Sequence, residues 1–191
     1  MEKRLASKDW LSLDGINRAQ IILVAKKLKS GTIVSGNSVT KRLIKKLGLY
    51  FIEKTINGHK IFTISKNKSI LTKFKKNKNK NPKVIGKFLS YPPCCVKEYS
   101  RKRTKKEIES YKKGNKKLSY KLGRQISLLI RKKKNYPEYL NFCPPTFTPC
   151  DIHCKNAKKI LLNWKESLIK EDPTAAKKLE EFNINSNKKS N

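Results

Sequence analysis

The chain lacks the sequence signals of several large classes of protein. Its 191 residues contain no apolar run approaching the ~20 residues that a membrane-spanning helix needs, and residues 1–4 lead into no apolar signal core. Neither Ser30-Gly31 nor Ser35-Gly36 is followed by the residues of a phosphate-binding loop. The sequence therefore predicts a cytoplasmic protein that does not span a membrane and has no glycine-rich nucleotide loop.

Side chains for acid–base catalysis are also scarce. The chain has 14 Asp and Glu against 47 Lys and Arg, and its carboxylates are scattered among lysines, which disfavours hydrolysis by a paired acid and base. Of the 2 histidines, His59 and His153, only His153 lies beside cysteines. The paired C-x-x-C spacing of zinc ribbons is absent. Any metal or thiol chemistry must therefore use a different cysteine arrangement.

Five cysteines form the pattern that most clearly indicates chemistry. Cys94 and Cys95 follow Tyr-Pro-Pro, and Cys143, Cys150 and Cys154 lie in a proline-rich stretch further along the chain. In a reducing compartment, grouped cysteines are more often metal ligands or reactive thiols than disulfides. The pattern predicts that folding gathers several of these thiols into one site.

Two helix starts are predicted to carry the cysteines. Pro92-Pro93 favours a helix that begins just before Cys94, and a second helix is predicted from about residue 151 to residue 170. Cys150 and Cys154 lie four apart at the start of this second helix, so they are predicted to face the same side. Helix N-termini stabilise thiolates, so two of them can converge on one cation. The predicted cofactor is zinc or an iron–sulfur cluster, and the candidate ligands are Cys94, Cys95, Cys150, Cys154, Cys143 and His153.

Three other interpretations of the cysteines stay open at this point. Adjacent cysteines seldom bind the same metal, and free cysteines often act as small buried apolar residues. A thiol-dependent enzyme would use Cys95 or Cys154, with His153 as the available base. A structural basic protein would instead pair its cysteines as disulfides.

The predicted fold class is α+β and mostly helical. Residues 1–74 favour a small helix–helix–hairpin module with a winged-helix-like order: one helix begins at Asp14 and ends at Ser30-Gly31, and a second covers 38–47. Asn57-Gly58 is a strong signal for a tight hairpin turn. Residues 75–83, rich in Lys and Asn, are predicted to be a hinge, 84–182 a helical cysteine-bearing domain, and 183–191 a disordered tail.

A formal net charge of +33 makes a polyanion the first partner to consider. The second predicted helix supplies basic residues for RNA or DNA binding: Lys41, Arg42, Lys45 and Lys46. The competing interpretation is compositional bias with a solvated basic face, because only 7 of the basic residues are Arg.

Two motifs resemble a known family. Residues 86–96, which read GKFLSYPPCCV, combine with the later PCDIHC at 149–154. This pairing is similar to an archaeal family known only as domain of unknown function 483, and the resemblance covers most of residues 16–170. The family usually has Gly where this chain has Ser90. The resemblance supplies no activity, but it implies a shared pattern of four cysteines that leaves Cys143 outside: Cys94, Cys95, Cys150 and Cys154.

Overall fold

The computed structural model describes residues 7–77, 81–102, 104–114 and 121–188. Most of these residues are helical and one antiparallel sheet accompanies the helices, so the predicted α+β, mostly helical class is confirmed. No helix in the described ranges has both the length and the apolar character needed to cross a membrane. In chain order the elements are α1 (Lys8–Leu11), α2 (Gly15–Ala25), β1 (Gly31–Gly36), α3 (Ser38–Lys46), β2 (Tyr50–Ile56), β3 (His59–Ser65), α4 (Lys68–Asn77), α5 (Pro82–Phe88), α6 (Pro93–Ser100), α7 (Lys105–Lys112), α8 (Lys121–Arg131), a 3₁₀ helix (Glu138–Phe142), α9 (Lys155–Glu171) and α10 (Pro173–Lys188).

Helix α2 starts where the sequence predicts and ends earlier. The Asp14 carboxylate accepts a hydrogen bond from the Asn17 N–H at 3.1 Å, as an N-cap should. The helix ends at Ala25, and Lys27 has a φ of 62°. The predicted continuation to Ser30 is therefore wrong, because a left-handed residue breaks the helix and the chain turns into β1.

The sheet has the strand order β1–β3–β2, with both neighbours antiparallel to β3. The hairpin that joins β2 and β3 is confirmed, since Asn57 and Gly58 have φ values of 50° and 77°. Strand β1, which pairs Gly31 with Ser65 at one end, was not predicted. The first half of the chain therefore builds a three-stranded sheet, and its winged-helix-like character stays a prediction.

One hydrophobic core contains residues from both ends of the chain. Helix α2 packs against α9 and α10, and the Trp10 indole N–H donates to the Asp172 carboxylate at 2.8 Å. Arg18 lies 3.4 Å from the same carboxylate. The core includes Trp10, Leu23, Phe62, Phe142, Leu161, Trp164 and Leu179.

The hinge predicted at 75–83 is largely helical where it is described. Helix α4 continues to Asn77 and α5 begins at Pro82, while residues 78–80 lie outside the described residues. Buried side chains from both sides of this segment belong to one core. The division into two domains stays a prediction.

The predicted disordered tail continues α10 as far as Lys188, and 189–191 lie outside the described residues. The Asn183 amide donates to the Asn141 carbonyl at 2.7 Å and to the Cys143 carbonyl at 2.9 Å. These carbonyls end the 3₁₀ helix, far away in sequence. Residues 183–188 are helical because tertiary contacts hold this part of α10, which its polar composition alone does not predict.

An ion cluster around the buried Glu107 carboxylate fixes the end of the helix that carries Cys94 and Cys95. Arg101 follows α6 and donates to the Glu107 carboxylate, which also accepts from Arg124 of α8 at 2.8 Å. The Thr104 N–H donates to the same carboxylate at 2.7 Å and the Glu107 N–H donates to the Thr104 hydroxyl at 3.4 Å, so the Thr-x-x-Glu segment forms a capping box. The Arg101 guanidinium holds the pKa of Glu107 well below its usual range. Helices α6, α7 and α8 are thus joined through one carboxylate.

Candidate metal centre

Cys94 and Cys95 occupy the first turn of α6, as the sequence predicts. Pro92 is the N-cap and Pro93 the first helical residue, where the missing proline N–H leaves no helical hydrogen bond unmade. The chain reaches this helix start through Ser90, which has a φ of 60°. The Ser90 hydroxyl accepts a hydrogen bond from the Ser30 N–H at 2.8 Å, so this left-handed turn is anchored to the segment before β1.

Helix α5 lies very close to α6. A Cβ atom at Gly86 would come within 2.2 Å of Val96 Cγ2, a distance that real structures do not tolerate. The absence of a side chain at Gly86 therefore sets how closely the cysteine-bearing helix approaches its neighbour.

The second helix start differs from the prediction. Helix α9 begins at Lys155, and Cys154 is its N-cap, with the Sγ atom accepting from the Ala157 N–H at 3.5 Å. The Asp151 carboxylate accepts from the His153 N–H at 2.9 Å and stabilises a turn before the helix. Cys150 therefore lies in a loop, and the predicted helical turn between Cys150 and Cys154 is wrong.

The two cysteine groups nevertheless converge. The Sγ atom of Cys94 lies 3.9 Å from that of Cys95 and 3.7 Å from that of Cys154, and the Cys95 and Cys154 sulfurs are 3.8 Å apart. With Cys150 included, the four Sγ atoms all lie within 4.8 Å of one another. Cys95 is buried and the other three are half-buried. Four thiols that can hold one metal ion thus meet between α6, α9 and the loop before α9.

Three N–H groups donate to sulfurs of the cluster. Each donor comes from the loop before α9 or from the first turn of that helix, which places its N–H close to the cluster. Such N–H···S contacts orient thiolate ligands and offset their charge, as outer-shell partners do at metal sites. The three contacts run from the Cys150 N–H to Cys95 Sγ at 3.4 Å, from the Ala157 N–H to Cys154 Sγ at 3.5 Å, and from Asn156 Nδ2 to Cys94 Sγ at 3.6 Å.

The thiols of the cluster have different proton affinities. Burial raises the pKa of Cys150 to about 12 and also raises the pKa of Cys95. Burial acts in the same direction on Cys94, but hydrogen bonds from Asn156 and the neighbouring thiols outweigh it, and the pKa of Cys94 is lowered. Thiolates packed this closely repel one another, so four of them need a cation at their centre.

Two candidate ligands do not belong to the cluster. Cys143 is buried at the end of the 3₁₀ helix, and its carbonyl is bonded to Asn183. His153 is exposed to solvent in the turn before α9. Neither is among the four side chains whose ligand atoms converge in the described part of the protein. The ligand role predicted for the other four cysteines stays a prediction that this geometry supports.

The distances and hydrogen bonds of the cysteines bear on two other interpretations, disulfide pairing and a catalytic Cys–His pair. All five cysteines are free thiols, and the Sγ–Sγ distances of 3.7–3.9 Å far exceed the ~2.05 Å of a disulfide bond. Among the hydrogen bonds of the described residues, none joins the His153 ring to a thiol. The structure therefore offers neither a disulfide nor an assembled Cys–His pair.

The basic residues predicted to bind nucleic acid lie on α3, where the structure pairs some of them with carboxylates. Lys41 Nζ is 2.7 Å from the Glu53 carboxylate, and an Arg42 nitrogen is 2.6 Å from the Asp9 carboxylate. Lys45 and Lys46 are exposed near the end of the helix. The charge of the predicted patch is thus partly offset on the protein itself.

Two features near the site could not be distinguished by sequence analysis. Asn156 is one of many Asn residues in a chain rich in them, and only the fold reveals it as a donor to Cys94. Lys29, one of 47 basic residues, is 1% exposed. Its ammonium donates to the Gln20 side chain at 2.9 Å and lies 5.4 Å from the centre of the Trp164 ring. Burial lowers the pKa of Lys29 from 10.5 to about 7.

A family model described as "Protein of unknown function (DUF483)" matches residues 58–183. The chain belongs to this family. All four clustered cysteines fall within the matched range. Neither the curated proteins nor the solved structures contain a significant match to the chain. Family membership thus agrees with the resemblance seen in the sequence and assigns no activity to the DUF483 site.

Proposed function

We propose that Cys94, Cys95, Cys150 and Cys154 bind one zinc ion. The observation that carries this proposal is the separation of the sulfurs, 3.7–3.9 Å for the three measured pairs. A tetrahedral ion with Zn–S bonds of about 2.3 Å separates its sulfurs by about 3.8 Å. Three of the four sulfurs are thus already spaced as the ligands of one tetrahedral ion, and the Cys150 sulfur lies within 4.8 Å of each of them.

An iron–sulfur cluster fits these distances less well. Its cysteines are distributed over two or four iron atoms, so some of its thiolate pairs must lie further apart than ligands of a single ion. Here three sulfurs are mutually within 3.9 Å and the fourth is within 4.8 Å of each. The single-ion arrangement is therefore the one that the described thiols favour.

The proposed centre is of the structural type. Four thiolates fill the coordination shell of zinc and leave no position for a substrate. Two ligands come from α6, and the other two come from the loop before α9 and from its N-cap, 55 to 60 residues further along the chain. Bound zinc would cross-link these segments, and its binding energy would add directly to the stability of the fold.

Metal analysis of the protein tests this proposal. Protein purified with reductant and without oxygen should contain about one zinc per chain, as measured by inductively coupled plasma mass spectrometry. Iron together with acid-labile sulfide in comparable amounts would instead identify a cluster. Protein that contains neither metal, and that takes up neither after reduction, would contradict the proposal.

The cysteines also bear on the compartment. Five free thiols, four of them within 4.8 Å of one another, would readily form disulfides under oxidising conditions. We therefore propose that the protein acts in the reducing environment of the cytoplasm.

A second proposal concerns the positive charge. We propose that the protein binds RNA or DNA through exposed lysines, because a net charge of +33 creates a field that concentrates polyanions. One face of α4 is suited to this role, since Lys68, Lys73 and Lys76 line a shallow surface depression together with Ser69 and Thr72. Ammonium and hydroxyl groups on one helix face are typical phosphate contacts.

The salt dependence of binding tests the second proposal. The logarithm of the binding constant for a duplex oligonucleotide should fall linearly with the logarithm of salt concentration. Replacing Lys68, Lys73 and Lys76 together with Gln should reduce that slope by about 2–3. The matched control changes Lys132, Lys133 and Lys134, which are exposed after α8, to Gln. Equal effects of the two triple variants would contradict the role proposed for α4, and no binding at low salt would leave the charge as a compositional feature.

A further inference from the structure

A cavity of about 480 Å³ lies beside the candidate metal centre. Its walls come from β1, α5, α6 and the proline-rich loop before Cys150. Cys95 belongs both to this wall and to the thiol cluster. The volume falls within the range of pockets that hold small organic molecules, about 300–1,000 Å³.

The lining excludes a charged ligand. Apart from Cys95, which the proposed metal centre would hold as a zinc-bound thiolate, none of the described residues that line the cavity is charged, although 32% of the chain is Asp, Glu, Lys or Arg. Without an opposite charge in the wall, an ion would lose its hydration and gain no partner. The occupant must therefore be uncharged and mainly apolar.

Aromatic rings give the cavity a second property. Tyr91 and Phe147 are stacked with their ring centres 4.5 Å apart and their planes at 20°, and both contribute to the wall together with Tyr99. The Tyr91 hydroxyl is hydrogen-bonded to that of Thr146, so this polar group of the wall is already satisfied. The stacked pair is largely covered, since Phe147 is buried and the Lys29 ammonium lies over the Tyr91 ring, whereas Tyr99 is exposed. The Tyr99 ring and the edges of the stacked pair favour a ring-containing molecule, which packs against them in offset or edge-on geometry.

We propose that this cavity binds an uncharged, apolar, ring-containing small molecule next to the metal centre. The position beside the metal rests on the proposed zinc site, whereas binding in the cavity does not. The site combines a cavity of suitable size, a mainly apolar lining and three aromatic side chains in its wall, and it is distinct from the basic surface that would meet a polyanion.

The neutral fluorophore N-phenyl-1-naphthylamine tests the proposal, because its emission rises when it enters an apolar site. Titration into the zinc-loaded 191-residue protein should give a saturable increase at one dye per chain, and a parallel sample loaded with Co²⁺ reports the state of the thiolate site. Thr148 and Ile33 both belong to the wall, so Thr148→Phe and Ile33→Trp should each weaken binding by about tenfold or more through loss of volume. The matched control is Thr55→Phe at an exposed position of β2, and it should bind as the unaltered protein does.

The cobalt–thiolate absorption separates this proposal from the previous one. An unchanged absorption spectrum in the two wall variants, with dye binding lost, supports the cavity and demonstrates that the fold is intact. Dye binding without any cobalt absorption would contradict the metal centre and still support the cavity. No saturable increase, or unaltered dye affinity in both wall variants, would overturn the proposed binding site.

Discussion

Replacing Cys154 with Ser should abolish zinc binding, whereas replacing Cys143 with Ser should leave the zinc content unchanged. Cys154 Sγ lies within 3.8 Å of two other sulfurs, and Cys143 lies outside the cluster. Serine at position 154 can still cap α9, because Ser is a preferred N-cap residue. Loss of stability in this variant would therefore report the lost metal ligand rather than a lost cap.

The expected sizes of the two effects differ. Without zinc, the free energy of unfolding of Cys154→Ser should fall by about 3 kcal/mol or more, since binding energy at a structural site is folding energy. Cys143→Ser places a hydroxyl in a buried position and should cost about 1–2 kcal/mol with full zinc content. Metal analysis and chemical denaturation of both variants measure the difference. If both variants kept zinc, or if Cys143→Ser alone lost it, the assignment of the ligands would be wrong.

The second large effect is expected at Lys29, where replacement with Met should stabilise the protein. The drop in the pKa of Lys29 from 10.5 to about 7 corresponds to a cost of about 5 kcal/mol for holding the charged form in the core at neutral pH. Met fills a similar volume without a charge. Gln20 and Thr32 keep their mutual hydrogen bond of 2.7 Å. The rings of Tyr91 and Trp164 offset part of the cost through cation–π contacts, so the net gain should be about 1–3 kcal/mol.

The gain should depend on pH in a defined direction. Between about pH 7 and 10.5 the unfolded chain binds one proton more at Lys29 than the folded protein does, so the stability of the unaltered protein rises with pH in this window. Below about pH 7 both states carry the proton and the full cost applies. The difference between Lys29→Met and the unaltered protein should therefore be largest near neutral pH and shrink towards pH 10.

Chemical denaturation at several pH values measures this effect. The control variant Lys54→Met removes an exposed lysine from β2 and should change stability little at any pH. A Lys29→Met protein that is less stable than the unaltered one would mean that the aromatic rings and Gln20 more than compensate for burial of the ammonium.

Features determined by neighbouring residues could be predicted from the sequence, as particular elements illustrate. Asn57-Gly58 specifies its hairpin because the required turn has positive φ at both residues. Asp14 and Pro93 mark helix starts for equally local reasons. Strand β1 was missed because it has Gly at both ends and forms only by pairing with β3, more than 20 residues away along the chain.

The sequence predicted the residues of the candidate site better than their arrangement in space. The sequence identified the cysteines that converge, partly through the resemblance to DUF483, but placed Cys150 on a helix and kept Cys143 and His153 as candidates. Cys150 is instead held in a loop, where its N–H contacts Cys95 across the site. That contact joins residues 55 positions apart, so local propensity carries no information about it.

Strand β3 also determines which part of the chain can exist alone. The stretch that defines the family, 58–183, begins immediately before β3, the central strand, and leaves out both of its neighbours. It also leaves out α2, against which α9 and α10 bury their apolar faces. An excised 58–183 fragment would have two open strand edges and an uncovered core, which favour aggregation. Wherever this stretch folds, β3 therefore needs equivalent partners from the rest of the chain or from another chain, whether or not their sequences resemble residues 15–56.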